Sequence, residues 1–135
     1  MNDLMLYSFV GLVIFYILYA KGVIFADFNF ITPDEAKKMI EDGKKDIVIL
    51  DVRTEMEYTN TGHLPNVILI PVQHLHKRLD ELEKFKNHKV LVYCASGNRS
   101  VSACRILYRY DFDLYNIKGG INGWKREGLE VTNQI

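Results

Sequence analysis

Cys94-Ala95-Ser96-Gly97-Asn98-Arg99-Ser100 decides how the rest of the chain is read. The run before it, Lys89-Val90-Leu91-Val92-Tyr93, is short, apolar and β-branched, as a buried strand requires. After it, Val101, Cys104, Leu107 and Tyr108 recur at helical spacing. The cysteine therefore falls where a strand ends and a small polar loop opens a helix. Backbone N–H groups of such a loop and of a helix N-terminus converge on one point and favour negative charge there. A thiol so placed is drawn toward the thiolate, which is its nucleophilic form. Ala95, Ser96, Gly97 and Asn98 are small, so the backbone can curl closely around the sulfur.

Outward from this stretch, strands and helices alternate. Phe28–Ile31 reads as a short strand, and Thr32-Pro33-Asp34-Glu35 as a capping box that opens a helix stopped at Gly43. Asp46–Val52 is apolar on both faces, which fits a central strand of a parallel sheet. Thr54–Asn60 is polar and has room for a helical turn, 61–66 is a loop, and Val67–Ile70 is a third buried strand. His74–Phe85 is expected to be one helix with Leu75, Leu79, Leu82 and Phe85 on one side. Asp113–Ile117 is a last strand, followed by a Gly119-Gly120 turn and a short helix over 121–126. The alternation predicts an α/β fold, a mainly parallel five-stranded sheet flanked by helices. Sites in such sheets lie at the carboxyl ends of the strands, where Asp51 and Cys94 both fall.

Leu4–Ala20 holds no charge. It is at the short end of what spans a bilayer, and Lys21 can snorkel to lengthen it. The preferred division is a membrane anchor over 1–26, meeting the membrane through residues 4–26, and a domain over 27–135. A cleaved signal peptide leading to export and a buried core helix are the competing readings. No Lys or Arg precedes the segment, whereas Lys21, Lys37 and Lys38 follow it, so the domain is expected to face the cytoplasm.

The formal net charge is zero, from 17 basic and 17 acidic residues, without the basic excess of a nucleic-acid binder. Two cysteines do not make a disulfide framework. Cys104 lies on the core-facing stripe of its helix and reads as packing, as does Trp124. His74, His76 and His88 lack partners at metal-ligand spacing, so no metal and no cofactor are expected.

CASGNRS after VLVY, with LDVR at 50–53, GHLP at 62–65 and GGINGW at 119–124, resembles a single-domain rhodanese-like sulfurtransferase over residues 28–131. The resemblance implies that Cys94 takes sulfane sulfur from thiosulfate or a persulfide donor, forms a persulfide, and passes the sulfur to a thiol acceptor. Ala95, Ser96, Gly97, Asn98, Arg99 and Ser100 would form the active-site and substrate loop. Asp51 and Arg53 match positions beside that loop in the family, where Asp51 would orient it and Arg53 lend electrostatic support. His63 reads as a structural hydrogen-bonder. Four residues separate Cys94 from Arg99, one fewer than in the ring that protein-tyrosine phosphatases close around phosphate, which favours sulfur transfer. Arg99 has two open roles, attracting an anionic donor or bracing the loop. Many members carry a basic residue where Ala95 stands, which shifts weight from thiosulfate toward a protein or small-molecule persulfide. They usually have Gly at the Asn66 position and Pro at the Glu130 position. A sulfur carrier or a non-catalytic interaction module at the membrane is the alternative function.

Overall fold

The two most apolar strands of the sequence, 47–51 and 89–93, are neighbours in the sheet. A computed structural model describes residues 2–20, 28–43 and 45–134. Its strands are β1 (Asn29–Ile31), β2 (Ile47–Asp51), β3 (Val67–Leu69), β4 (Lys89–Tyr93) and β5 (Asp113–Ile117), all parallel, in the order β1-β5-β4-β2-β3. Five α-helices are described: α1 (Asp3–Ala20), α2 (Pro33–Asp42), α3 (Glu55–Thr61), α4 (Asn98–Tyr108) and α5 (Gly120–Arg126).

Strands buried on both faces need helices on both, and they have them. On one face Leu50, Val90 and Val92 pack with Val101, Cys104 and Leu107 of α4 and with Leu75 and Leu82. On the other, Ile49, Leu91 and Tyr93 pack with Ala36 of α2 and with Ile121 and Trp124 of α5. Register places Asp51 opposite Tyr93, so the ends of β2 and β4 lie side by side just before Cys94.

The expected helix over 74–85 is instead two 3₁₀ segments, Val72–Lys77 and Leu79–Phe85, separated at Arg78. The physical reason is the apolar period. Val72 and Leu75 are three apart, as are Leu79, Leu82 and Phe85, and a repeat of three aligns on one face of a 3₁₀ helix rather than an α-helix. Thr32 accepts the N–H of Glu35 at 3.2 Å and caps α2, but no return bond from the Glu35 side chain is described, so the expected box is half formed.

The helix α1 is long and apolar enough to cross a membrane. None of its residues is buried, which removes the core-helix reading. Its 18 residues span about 27 Å at the α-helical rise, close to the bilayer's apolar thickness. The expected anchor's last residues, 21–26, and the boundary at 26 lie outside the described residues.

Candidate active site

Cys94 follows β4 directly and is 1% exposed, so its sulfur sits inside the turn and not on it. The Gly97 N–H donates to Sγ at 3.1 Å. The thiol lies 3.4 Å from Ser100 Oγ, whose hydroxyl donates to the Gly97 carbonyl at 3.2 Å. Gly97 holds this ring shut with φ +110°, a backbone conformation that L side chains rarely adopt. An N–H aimed at the sulfur stabilises an anion there, on Cys94 itself or on a sulfur added to it. The enclosure favours attack on a slim terminal atom over attack on a bulky centre.

The peptide planes of the loop are fixed from behind. Ile121 N–H donates to the Cys94 carbonyl at 2.9 Å and Asn122 N–H to the Ala95 carbonyl at 3.0 Å, both from the first turn of α5. Gly120 makes this possible, because a Cβ there would stand 2.3 Å from the Cys94 carbonyl oxygen.

Arg99 braces the loop. Its guanidinium makes a forked pair with Glu57, at 2.6 Å (Nη1 to Oε1) and 2.8 Å (Nη2 to Oε2). Glu57 is the third residue of α3 and completes a capping box with Thr54, so its carboxylate is held at both ends. The hydrogen bond from Arg99 holds the Glu57 carboxyl down at about 2, and the same bond raises Arg99. Of the two roles open for Arg99, this geometry supplies bracing.

Asp51 and Arg53 form a buried pair, 0% and 1% exposed. Arg53 Nη2 lies 2.7 Å from Asp51 Oδ2 and also donates to the Gly62 carbonyl at 2.8 Å, while Nη1 donates to Thr61 Oγ1 at 2.8 Å. Tyr93 donates its hydroxyl to Asp51 Oδ2 at 2.7 Å and accepts the Leu64 N–H at 3.2 Å. Burial opposes the Arg53 charge, but the hydrogen bonds and charge of Asp51 more than offset it, so the net direction is upward. Burial, with Asp51 beside it, pushes the Tyr93 phenol up, so it stays a donor. These bonds run to residues 61–64 and Tyr93, on the sheet face opposite the one where Cys94 packs. The structure thus joins Asp51 to the active loop through the Tyr93 backbone, with no described hydrogen bond to residues 94–100.

His63 Nδ1 meets its neighbouring Leu64 carbonyl at 2.8 Å, and its ring stacks on Tyr58 at 3.7 Å. Cys104 is fully buried, and burial raises its thiol. The indole of Trp124 is in the core and donates to the Glu130 carbonyl at 2.9 Å. Asn66 adopts φ +56°, tolerated by Asn better than by most residues. Among the described residues, no group of three or more His, Cys, Asp or Glu is placed to hold a metal ion. Glu57 and Tyr93 have no site role in the sequence reading, and Gly120 figures there only as part of a turn and motif. For Glu57 the capping signal T-x-x-E at 54–57 was present, but nothing local pointed to its partner 42 residues on.

A thiol in a strand-to-helix loop at the carboxyl edge of an all-parallel sheet defines a class of α/β domains. The model of the Rhodanese-like domain matches residues 32–127, and the chain belongs to that family. A sulfurtransferase from Allochromatium vinosum is 33% identical over 89 residues, which cover 65% of this chain and 80% of that one. YrkF of Bacillus subtilis, assigned by name to sulfur carriage, is 35% identical over 91 residues, 67% of this chain and 48% of that protein. The chain thus spans about half of the second relative. The crystal structure of a rhodanese-related protein from Thermoplasma volcanium superposes with a TM-score of 0.69 at 30% identity, covering 79% of this chain and all of the other.

Proposed function

We propose that this protein is a sulfurtransferase that moves sulfane sulfur through a persulfide on Cys94. The supporting observation is the Gly97 N–H on Sγ within a loop whose Cys94 and Ala95 carbonyls are turned away onto α5. With thiosulfate, the Cys94 thiolate attacks the outer sulfur, the new S–S bond forms, and the donor's S–S bond breaks with its electron pair leaving on sulfite. An acceptor thiolate, or cyanide in an assay, then attacks the outer sulfur of the persulfide and returns the pair to Cys94. The Gly97 N–H steadies the sulfur anion in both states, so no general base is required. Asp51 and Arg53 act by positioning the strand end. A sulfur carrier is the second reading, favoured by Ala95 and by the pairing of Arg99 with Glu57. Intact mass after exposure to thiosulfate or to a persulfide donor tests the mechanism. A gain of one sulfur, absent from Cys94→Ala, is expected; gain by the variant overturns it, and gain from the persulfide alone selects the carrier.

In the same proposal α1 anchors the domain in a membrane, with residue 1 outside and Cys94 in the reducing cytoplasm. Intact mass of protein from native membranes should retain Met1 or its neighbour, and protease added outside sealed cells should spare the domain. A cut near Ala26 instead marks a signal peptide and export.

A further inference from the structure

The loop around Cys94 is poor in available positive charge. Ala95 brings none, and the guanidinium of Arg99 is occupied by the Glu57 carboxylate. We propose that Arg126 supplies that charge and selects a small anionic sulfur donor at the mouth of the loop, an inference that rests on the sulfur-transfer reading above.

Arg126 ends α5, and long helical side chains lean toward the N-terminus of their helix. Three and seven residues back stand Gly123 and Gly119, whose missing side chains leave a groove along that face. The guanidinium lies in it. Arg126 Nη2 is 3.3 Å from where a Cβ on Gly119 would stand and 3.7 Å from the same point on Gly123. Gly119 in turn lies close to the loop, since a Cβ on Gly97 would stand 3.6 Å from the Gly119 nitrogen. Gly97 is the residue whose N–H meets Cys94 Sγ. A side chain rooted at the far end of α5 is thereby delivered beside the sulfur's own loop.

Arg126 is solvent-exposed and takes part in none of the described ion pairs. Its neighbour Lys125 is occupied, donating to the Thr61 carbonyl at 2.7 Å. An exposed, unpaired guanidinium beside an enclosed thiol suits a donor with two ends. The terminal sulfur enters the loop, while charged oxygens remain outside, where a planar fork of donors can hold them. Thiosulfate has this form and serves as the probe.

The test uses the full chain in detergent, following cyanide-dependent thiocyanate formation and, separately, persulfide loading of Cys94 by intact mass. Arg126→Gln is expected to raise KM for thiosulfate about fivefold with kcat within about twofold, the size of effect an exposed charge pair carries. Arg126→Lys should recover most of the loss, and the salt dependence of kcat/KM should flatten in the glutamine variant. Loading by an alkyl persulfide, which has no charged oxygens for Arg126 to hold, should be spared. An unchanged KM and salt slope overturn the proposal, as does an equal loss in Lys118→Gln, which would mean a diffuse field. An equal loss with the alkyl persulfide also overturns it, because it marks a structural role. If the unaltered protein gains no sulfur on Cys94 from either donor, the sulfur-transfer reading itself falls.

Discussion

Gly120 is the residue on which the loop's geometry is most exposed to a single change. A methyl group there meets the Cys94 and Ala95 carbonyl oxygens at 2.3 and 2.6 Å, so the first turn of α5 must move away. That movement removes the two N–H donors from Ile121 and Asn122 and frees the peptide planes that shape the sulfur's surroundings. Gly120→Ala is therefore expected to lose about 2–4 kcal/mol in urea unfolding, and to load persulfide at least tenfold more slowly where still folded. Cys104→Ser makes the opposite contrast. The residue lies in the packed face of α4, so the variant should retain persulfide loading and lose about 1–3 kcal/mol for a buried hydroxyl. Loss of loading in a folded Cys104→Ser protein would revive a resolving role for this thiol. Cys94 was legible because the strand, loop and helix that define its setting are contiguous in sequence. Gly120 was legible only as a turn, since its significance depends on a carbonyl 26 positions earlier in the chain.

At the scale of elements, α3 is a short helix whose start is built to hold one carboxylate. Thr54 caps it and Glu57 reaches back to the cap, then forward to Arg99 at the start of α4. The pair ties α3 to the active loop and carries a pH signature. The Glu57 carboxyl is lowered from 4.5 to about 2, chiefly by the Arg99 hydrogen bond. A depressed carboxyl contributes stability that is fully present above its unfolded value and is lost as pH falls through its folded value. The contribution of Glu57 should therefore fade between 4.5 and about 2. Glu57→Gln should flatten that part of the acid-unfolding curve and loosen the loop at neutral pH, seen as faster amide exchange at 95–100. An identical acid limb in both proteins would mean the ion pair does not couple to folding. Strands β2 and β4 were legible because central strands of a parallel sheet are apolar on both faces. The segment 72–85 was not, because a period of three and a period of 3.6 differ little over five apolar residues.

At the scale of the whole molecule, the Asp51, Arg53 and Tyr93 network joins the ends of β2 and β4 to residues 61–64, holding the carboxyl edge of the sheet as one piece. Removing one member leaves the other charge buried, so Arg53→Met should cost about 3–5 kcal/mol, measured by denaturant unfolding. A stable Arg53→Met protein that fails to load persulfide would instead place Arg53 in the chemistry. The order of the strands bears on how such a protein is made. β1, the earliest strand to be synthesised, pairs in parallel with β5, the last, so Phe30 waits for Asn116 before its edge is covered. A nascent chain halted before β5 has no partner for β1 and exposes the flank of β4, and non-local pairing of this kind is slow. The apolar helix α1, by contrast, is complete as soon as it leaves the ribosome. On the anchor reading proposed above, insertion into a bilayer precedes folding of the domain, and ribosome-bound chains ending before Asp113 should already be membrane-associated yet fully protease-sensitive beyond residue 28.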